Sequence, residues 1–149
     1  MPVDAKGRTP LKPFTTFDEL VGGVEKILGK LDPEFAKRIH EMADLGLLDL
    51  FSRKGKAPGG YQSTLCERRK PFIFMNSVGT HSDLMVLLHE SGHAMHSCEC
   101  NDEPLLAYRH APLEFCEVAS MGMELLAEPY LDVFYPGKDD RKRAVRENL

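Results

Sequence analysis

The segment His89-Glu90-Ser91-Gly92-His93 constrains this chain more than any other. It is an H-E-x-x-H pattern set among Leu84, Val86, Leu87, Leu88, Ala94 and Met95. Their spacing predicts a largely buried helix over residues 82–98. Two imidazoles four residues apart project from one helix face. Two histidines and a glutamate buried without partners would cost on the order of several kcal/mol. A metal ion removes that conflict. Zinc takes neutral imidazole nitrogens at about 2.0–2.1 Å, and two such nitrogens one turn apart chelate it. Glu90 then stands beside the metal, placed to take a proton from water instead of ligating.

A catalytic zinc needs a third protein ligand and an open position. The next predicted helix, 112–128, opens at Pro112 and carries Glu114, Glu117 and Glu124. Glu117 and Glu124 are seven apart and share a face, and Glu114 partly shares it. Spacing alone leaves all three open as the third ligand.

The two motifs His89-Glu90-x-Gly92-His93 and Phe115-Cys116-Glu117-Val118-Ala119-Ser120 together resemble the thimet oligopeptidase and oligoendopeptidase F family of zinc metallopeptidases. Lys56-Ala57-Pro58-Gly59-Gly60-Tyr61 and Pro71-Phe72-Ile73-Phe74-Met75-Asn76 resemble the bacterial oligoendopeptidase F branch. The likeness is most specific over residues 50–126. It implies that His89, His93 and Glu117 hold one Zn2+ per chain, with Glu90 as general base and Glu124 orienting a ligand. It implies a zinc endopeptidase acting on short peptides. The fold expected is mainly α, a zincin-like helical catalytic core with a small β-hairpin. Family members are much longer, and a C-terminal segment of theirs supplies a histidine and tyrosines to the oxyanion. No counterpart is found here, so an incomplete catalytic domain with weak activity of its own is expected. The alternative is a non-catalytic zinc-binding fragment or partner-binding remnant.

The rest of the chain reads as scaffold. An extended, Pro- and Lys-rich segment covers 1–14. A helical pair covers 16–50, with Thr16-Phe17-Asp18-Glu19 as a capping box and Asp32-Pro33 as the second start. A hairpin is expected over 57–77, with Phe72–Met75 as an edge strand able to pair with substrate backbone. A last helix begins at Asp139 and runs to 149 without a cap. Substrate contacts are expected at Tyr61, Phe74, Tyr108 and His110. His81 and His96 are further candidates near the site, with His96 on an adjoining face.

Composition bounds the partners. The charge sum of −4 over 149 residues excludes a strongly basic nucleic-acid surface. No run approaches the length of a membrane span. No secretory leader is visible, and Cys66, Cys98, Cys100 and Cys116 do not form a disulfide framework, so a cytoplasmic setting with free thiols is expected. Apolar surface left by an incomplete core predicts self-association.

Overall fold

The computed structural model describes residues 7–148. Part of the opening segment (1–6) and Leu149 of the last expected helix lie outside the described residues. The first two helices are α1 (Phe17–Leu31) and α2 (Pro33–Asp44). The Thr16 hydroxyl accepts from the Glu19 backbone N–H, and the Glu19 carboxylate accepts from the Thr16 N–H, both at 3.2 Å. This reciprocal box satisfies donors that a helix start otherwise leaves open. Asp32 accepts from the Glu34 N–H at 2.8 Å, and Pro33 sits at the first helical position, where its missing N–H costs nothing.

Three strands follow: β1 (Leu48–Phe51), β2 (Tyr61–Leu65) and β3 (Lys70–Ser77). Their order is β1-β3-β2, with β1 parallel and β2 antiparallel to β3. This corrects two expectations. The helical pair does not reach residue 50. Gly46 turns the chain at φ 67, a left-handed conformation suited to glycine, and Leu48 and Leu50 then bury at period two. The strand Phe72–Met75 is also not an edge. It is the centre of the sheet, and β1 and β2 are its two edge strands. Pro71 is tolerated because it pairs with Thr64 near the end of β2, before pairing with β1 begins at Leu48↔Ile73.

Lys56 ties the sheet together. The loop 52–60 is basic and Gly/Pro-rich, yet the Lys56 side chain is only 1% exposed. Its ammonium donates to the Asp49 carbonyl (2.9 Å), the Phe51 carbonyl (2.9 Å), the Asp49 carboxylate (3.0 Å) and the Met75 carbonyl. The β1–β3 register shifts between Asp49 and Phe51. A bulge of this kind interrupts the ladder and leaves strand groups in need of partners. The buried ammonium collects the carbonyls there.

The inner face of β3, with Ile73 and Met75, packs on α3 (His81–Glu99), whose Leu84, Leu87 and Leu88 are fully buried. Thr80 and Asp83 form a second capping box, which starts this helix one residue earlier than expected. Then come α4 (Leu113–Ala127) and α5 (Lys138–Glu147). The last helix is described from Lys138 to Glu147. His81 accepts from the Tyr135 hydroxyl at Nδ1 (2.8 Å) and donates through Nε2 to the Asn148 side chain (2.9 Å), which ties the end of α5 to the start of α3.

The packing of α4 departs from the apolar pattern of its sequence. It buries Ser120, Met123 and Ala127, while Leu113, Phe115, Val118, Met121 and Leu125 are exposed. Ser120 and Met123 face α3 at Gly92, where the two helices approach closely. The four cysteines are free thiols. Among the described residues, no helix is long and apolar enough to cross a membrane.

Lys56→Met should lower stability by roughly 2–4 kcal/mol, because it orphans buried acceptors and a carboxylate together. A urea midpoint measured against the unsubstituted chain checks this. Asp49 supplies a pH signature. Hydrogen bonds from Arg53 first, and from Lys56, hold its carboxyl down at about 2. A folded-state value below the unfolded one stabilises fully above about pH 4. That contribution is lost as pH falls through about 2. Asp49→Asn should flatten the acid limb of the stability–pH curve over this window.

Candidate metal centre

The centre is built where α3 and α4 touch. A Cβ placed on Gly92 would stand 2.6 Å from the Ala119 carbonyl oxygen, 2.6 Å from Ser120 Cα and 3.0 Å from Met123 Cβ. Backbone atoms cannot yield to such a clash as a flexible side-chain tip can. Glycine therefore permits the approach that lays Glu117 and Glu124 over the histidine face of α3.

At this crossing one ligand atom from each of His89, His93 and Glu117 lies within 4.8 Å of the others. His89 Nε2 is 3.3 Å and His93 Nε2 3.8 Å from the Glu117 carboxylate. The far side of the His89 ring, Nδ1, is 2.6 Å from the Glu124 carboxylate. A carboxylate can only accept there, so Nδ1 carries a proton, and Nε2 is the ring atom that faces Glu117. The His93 ring donates to the Cys116 backbone carbonyl. Burial, and then the neighbouring His89, push His93 below the ordinary histidine range and favour its neutral form.

Glu117 is held in turn. Ser120 Oγ lies 2.9 Å from its carboxylate and donates there. Glu90 is buried beside the cluster, and burial raises its carboxyl above the ordinary range. The Gln62 backbone N–H on β2 donates to it and opposes that shift. The set of two imidazoles and a carboxylate, with the His89 ring anchored from behind, fits a tetrahedral divalent cation with one open position.

The other expected site residues divide. Glu114 is exposed in the first turn of α4, away from the cluster. His110 and His96 line a hollow next to His93. Tyr108 is 71% exposed at the end of a 3-10 turn and lines no part of it. His81 sits two turns before His89 on α3, engaged by Tyr135 and Asn148. Tyr61 and Phe74 stack on each other at 5.2 Å. Strand alternation puts both on the sheet face opposite Ile73 and Met75, hence away from α3. Their rings do not meet the His–Glu cluster.

Three contributors escaped the sequence reading. Ser120 follows Glu117 by three residues, the helical spacing for a same-face pair, and that spacing was available as a signal. The Gln62 N–H and the Cys116 carbonyl are backbone groups, which no residue type announces.

The profile of peptidase family M3 matches residues 7–148. The chain belongs to that family. It is 31% identical over 116 residues to oligopeptidase PepF of Bacillus subtilis (strain 168), covering 78% of this chain and 17% of PepF. It is 28% identical over 129 residues to group B oligopeptidase PepB of Streptococcus agalactiae serotype III (strain NEM316), covering 86% of this chain and 21% of PepB. A crystal structure from Bacillus anthracis str. Ames, assigned as an oligoendopeptidase F, superposes with a TM-score of 0.86 at 32% identity. That match covers 95% of this chain and 26% of the other. PZ peptidase A, solved with an inhibitor, gives 0.83 at 34% identity over 91% of this chain and 24% of its own. The chain thus spans about a fifth of the length of these curated relatives.

Gly92→Ala should force α3 and α4 apart. The expected cost is about 1–3 kcal/mol, typical of overpacking in a tight contact. Thermal unfolding of the purified variant measures it, and an unchanged midpoint would show that the crossing relaxes freely.

Proposed function

We propose that this chain carries the metal-binding catalytic core of a zinc oligoendopeptidase acting on short peptides. The observation that carries the reading is the convergence of His89, His93 and Glu117, with Glu90 alongside and Glu124 behind. His89, His93 and Glu117 would hold the ion. Zinc suits a borderline set of two imidazoles and one carboxylate. A bound divalent ion supplies Lewis-acid polarisation of the scissile carbonyl and of the attacking water.

The chain's own groups do the rest. Glu90 receives the proton of the attacking water at its carboxylate and passes it to the leaving amine. Burial raises its carboxyl, which strengthens it as a proton acceptor. Glu124 keeps His89 in one tautomer, and Ser120 steadies Glu117.

Peptide placement follows the free edge of β2. One hollow, lined by Gly60, His89, Glu90 and Glu124, lies on one side of the cluster. A second, lined by Gln62, Thr64, Cys66 and His93, lies on the other. Residues 60–66 run from the first to the second. An extended peptide pairing with this edge would cross the cluster beside Glu90. This moves the pairing role from the central strand β3 to β2.

The partner-binding alternative draws on the exposed apolar side of α4, with Leu113, Phe115, Val118, Met121 and Leu125. Such a surface favours self-association or a protein partner. The two readings separate on Glu90→Gln. For a peptidase core, that variant should bind about one zinc per chain by elemental analysis and lose peptide hydrolysis by about 10²–10⁴-fold. Hydrolysis surviving the change would sink the mechanism. No zinc in folded chain would sink the metal assignment. Glu124→Ala should weaken zinc binding by about 10–100-fold in a competition titration with a chelator.

A further inference from the structure

The hollow next to His93 has a lining chemistry that the hydrolytic machinery does not use. It holds about 90 Å³ of space, the scale of a side chain rather than a whole peptide. Arg69 and Arg109 line it, with His96, His110 and Asn101. No aspartate or glutamate is part of its lining. Its two guanidiniums therefore face no carboxylate within the hollow, beside the His–Glu cluster.

Both guanidiniums are anchored through backbone and left without a carboxylate. Arg69 donates from Nη1 to the Asn101 carbonyl at 2.8 Å, and Asn101 returns a bond from its side chain to the Arg69 carbonyl at 3.0 Å. Arg109 donates from Nε to the Glu103 carbonyl at 2.6 Å. Neither has an ion-pair partner among the described residues, and donors remain free on each. Arg69 also stands at φ 52, a left-handed backbone position where a side chain is strained and glycine or asparagine is preferred.

We propose that Arg69 and Arg109 form a carboxylate-recognition pocket for the peptide, beside the metal centre. It would take an acidic side chain or a terminal carboxylate of a peptide lying along β2. This rests on the peptidase reading of the cleft. A forked guanidinium offers paired donors that match a carboxylate, and two such groups in one small hollow select that group over its neutral amide.

The test is peptide binding, read by calorimetry on the zinc-loaded full chain carrying Glu90→Gln, so that bound peptide is not cut. One set of neutral, C-terminally amidated peptides carries a single Glu moved along the chain, each with a Gln counterpart. Another peptide differs only in having a free or amidated C-terminus. An acidic-side-chain pocket gives about tenfold tighter binding for Glu over Gln at one position. A terminal-carboxylate pocket gives a similar gain for the free end alone. In either case the preference should disappear in Arg69→Gln and Arg109→Gln and be only partly kept in the Lys variants, which retain the charge and lose the paired donors. Circular dichroism separates loss of preference from loss of fold. Equal affinities across all pairs overturn the carboxylate pocket while leaving the peptidase reading in place. Binding of none of the peptides overturns both. A preference that survives both Gln substitutions overturns the assignment to these arginines.

Discussion

Two helices bring imidazoles and carboxylates into one ion-sized cluster only if their backbones come close, and here that closeness is set at Gly92. The Ala119 carbonyl and Ser120 Cα occupy the space a side chain would need. The same crossing explains the surface of α4. Ser120 and Met123 face α3 at Gly92, and Leu113, Phe115, Val118, Met121 and Leu125 are exposed. The crossing lays Glu117 and Glu124 against the histidine face of α3.

The sheet contributes in a different way. It supplies backbone rather than reactive side chains. The inner face of β3 seats α3, and the outer strand β2 sends the Gln62 N–H to Glu90. Holding β1 against β3 across a register shift requires an internal cation, Lys56, with carbonyls from both strands. A charged side chain thus stabilises the sheet against which the histidine helix is packed. Membership of peptidase family M3 fits this division of labour, since a fold of this kind offers an open strand edge beside the clustered residues.

Much of the helical framework was legible because its signals are local. Thr16 with Glu19, and Asp32 with Pro33, act within one turn, and the helices start there. The strands were less legible. Residues 48–51 are too short to show their period against the preceding helix, and a parallel partner 25 residues away leaves no trace in spacing. The buried place of Lys56 in its Gly/Pro-rich loop leaves no local sign either. Burial of a lysine is decided by acceptors brought from elsewhere in the chain. That Tyr61 and Phe74 stack on each other, on the sheet face opposite Ile73 and Met75, depends on the pairing of β2 with β3.

The sequence by itself determined which chemistry is present. Four-residue spacing puts His89 and His93 on one face of a helix wherever that helix lies, and the same holds for Glu117 and Glu124 at seven. Local geometry is enough for that. The tertiary structure decided which glutamate meets which nitrogen. Glu117 faces the two Nε2 atoms, Glu124 takes the Nδ1 of His89, and Glu114 remains in solvent. The crossing of two helices makes that choice, through the distance of approach that a glycine allows, and no spacing within one helix encodes it.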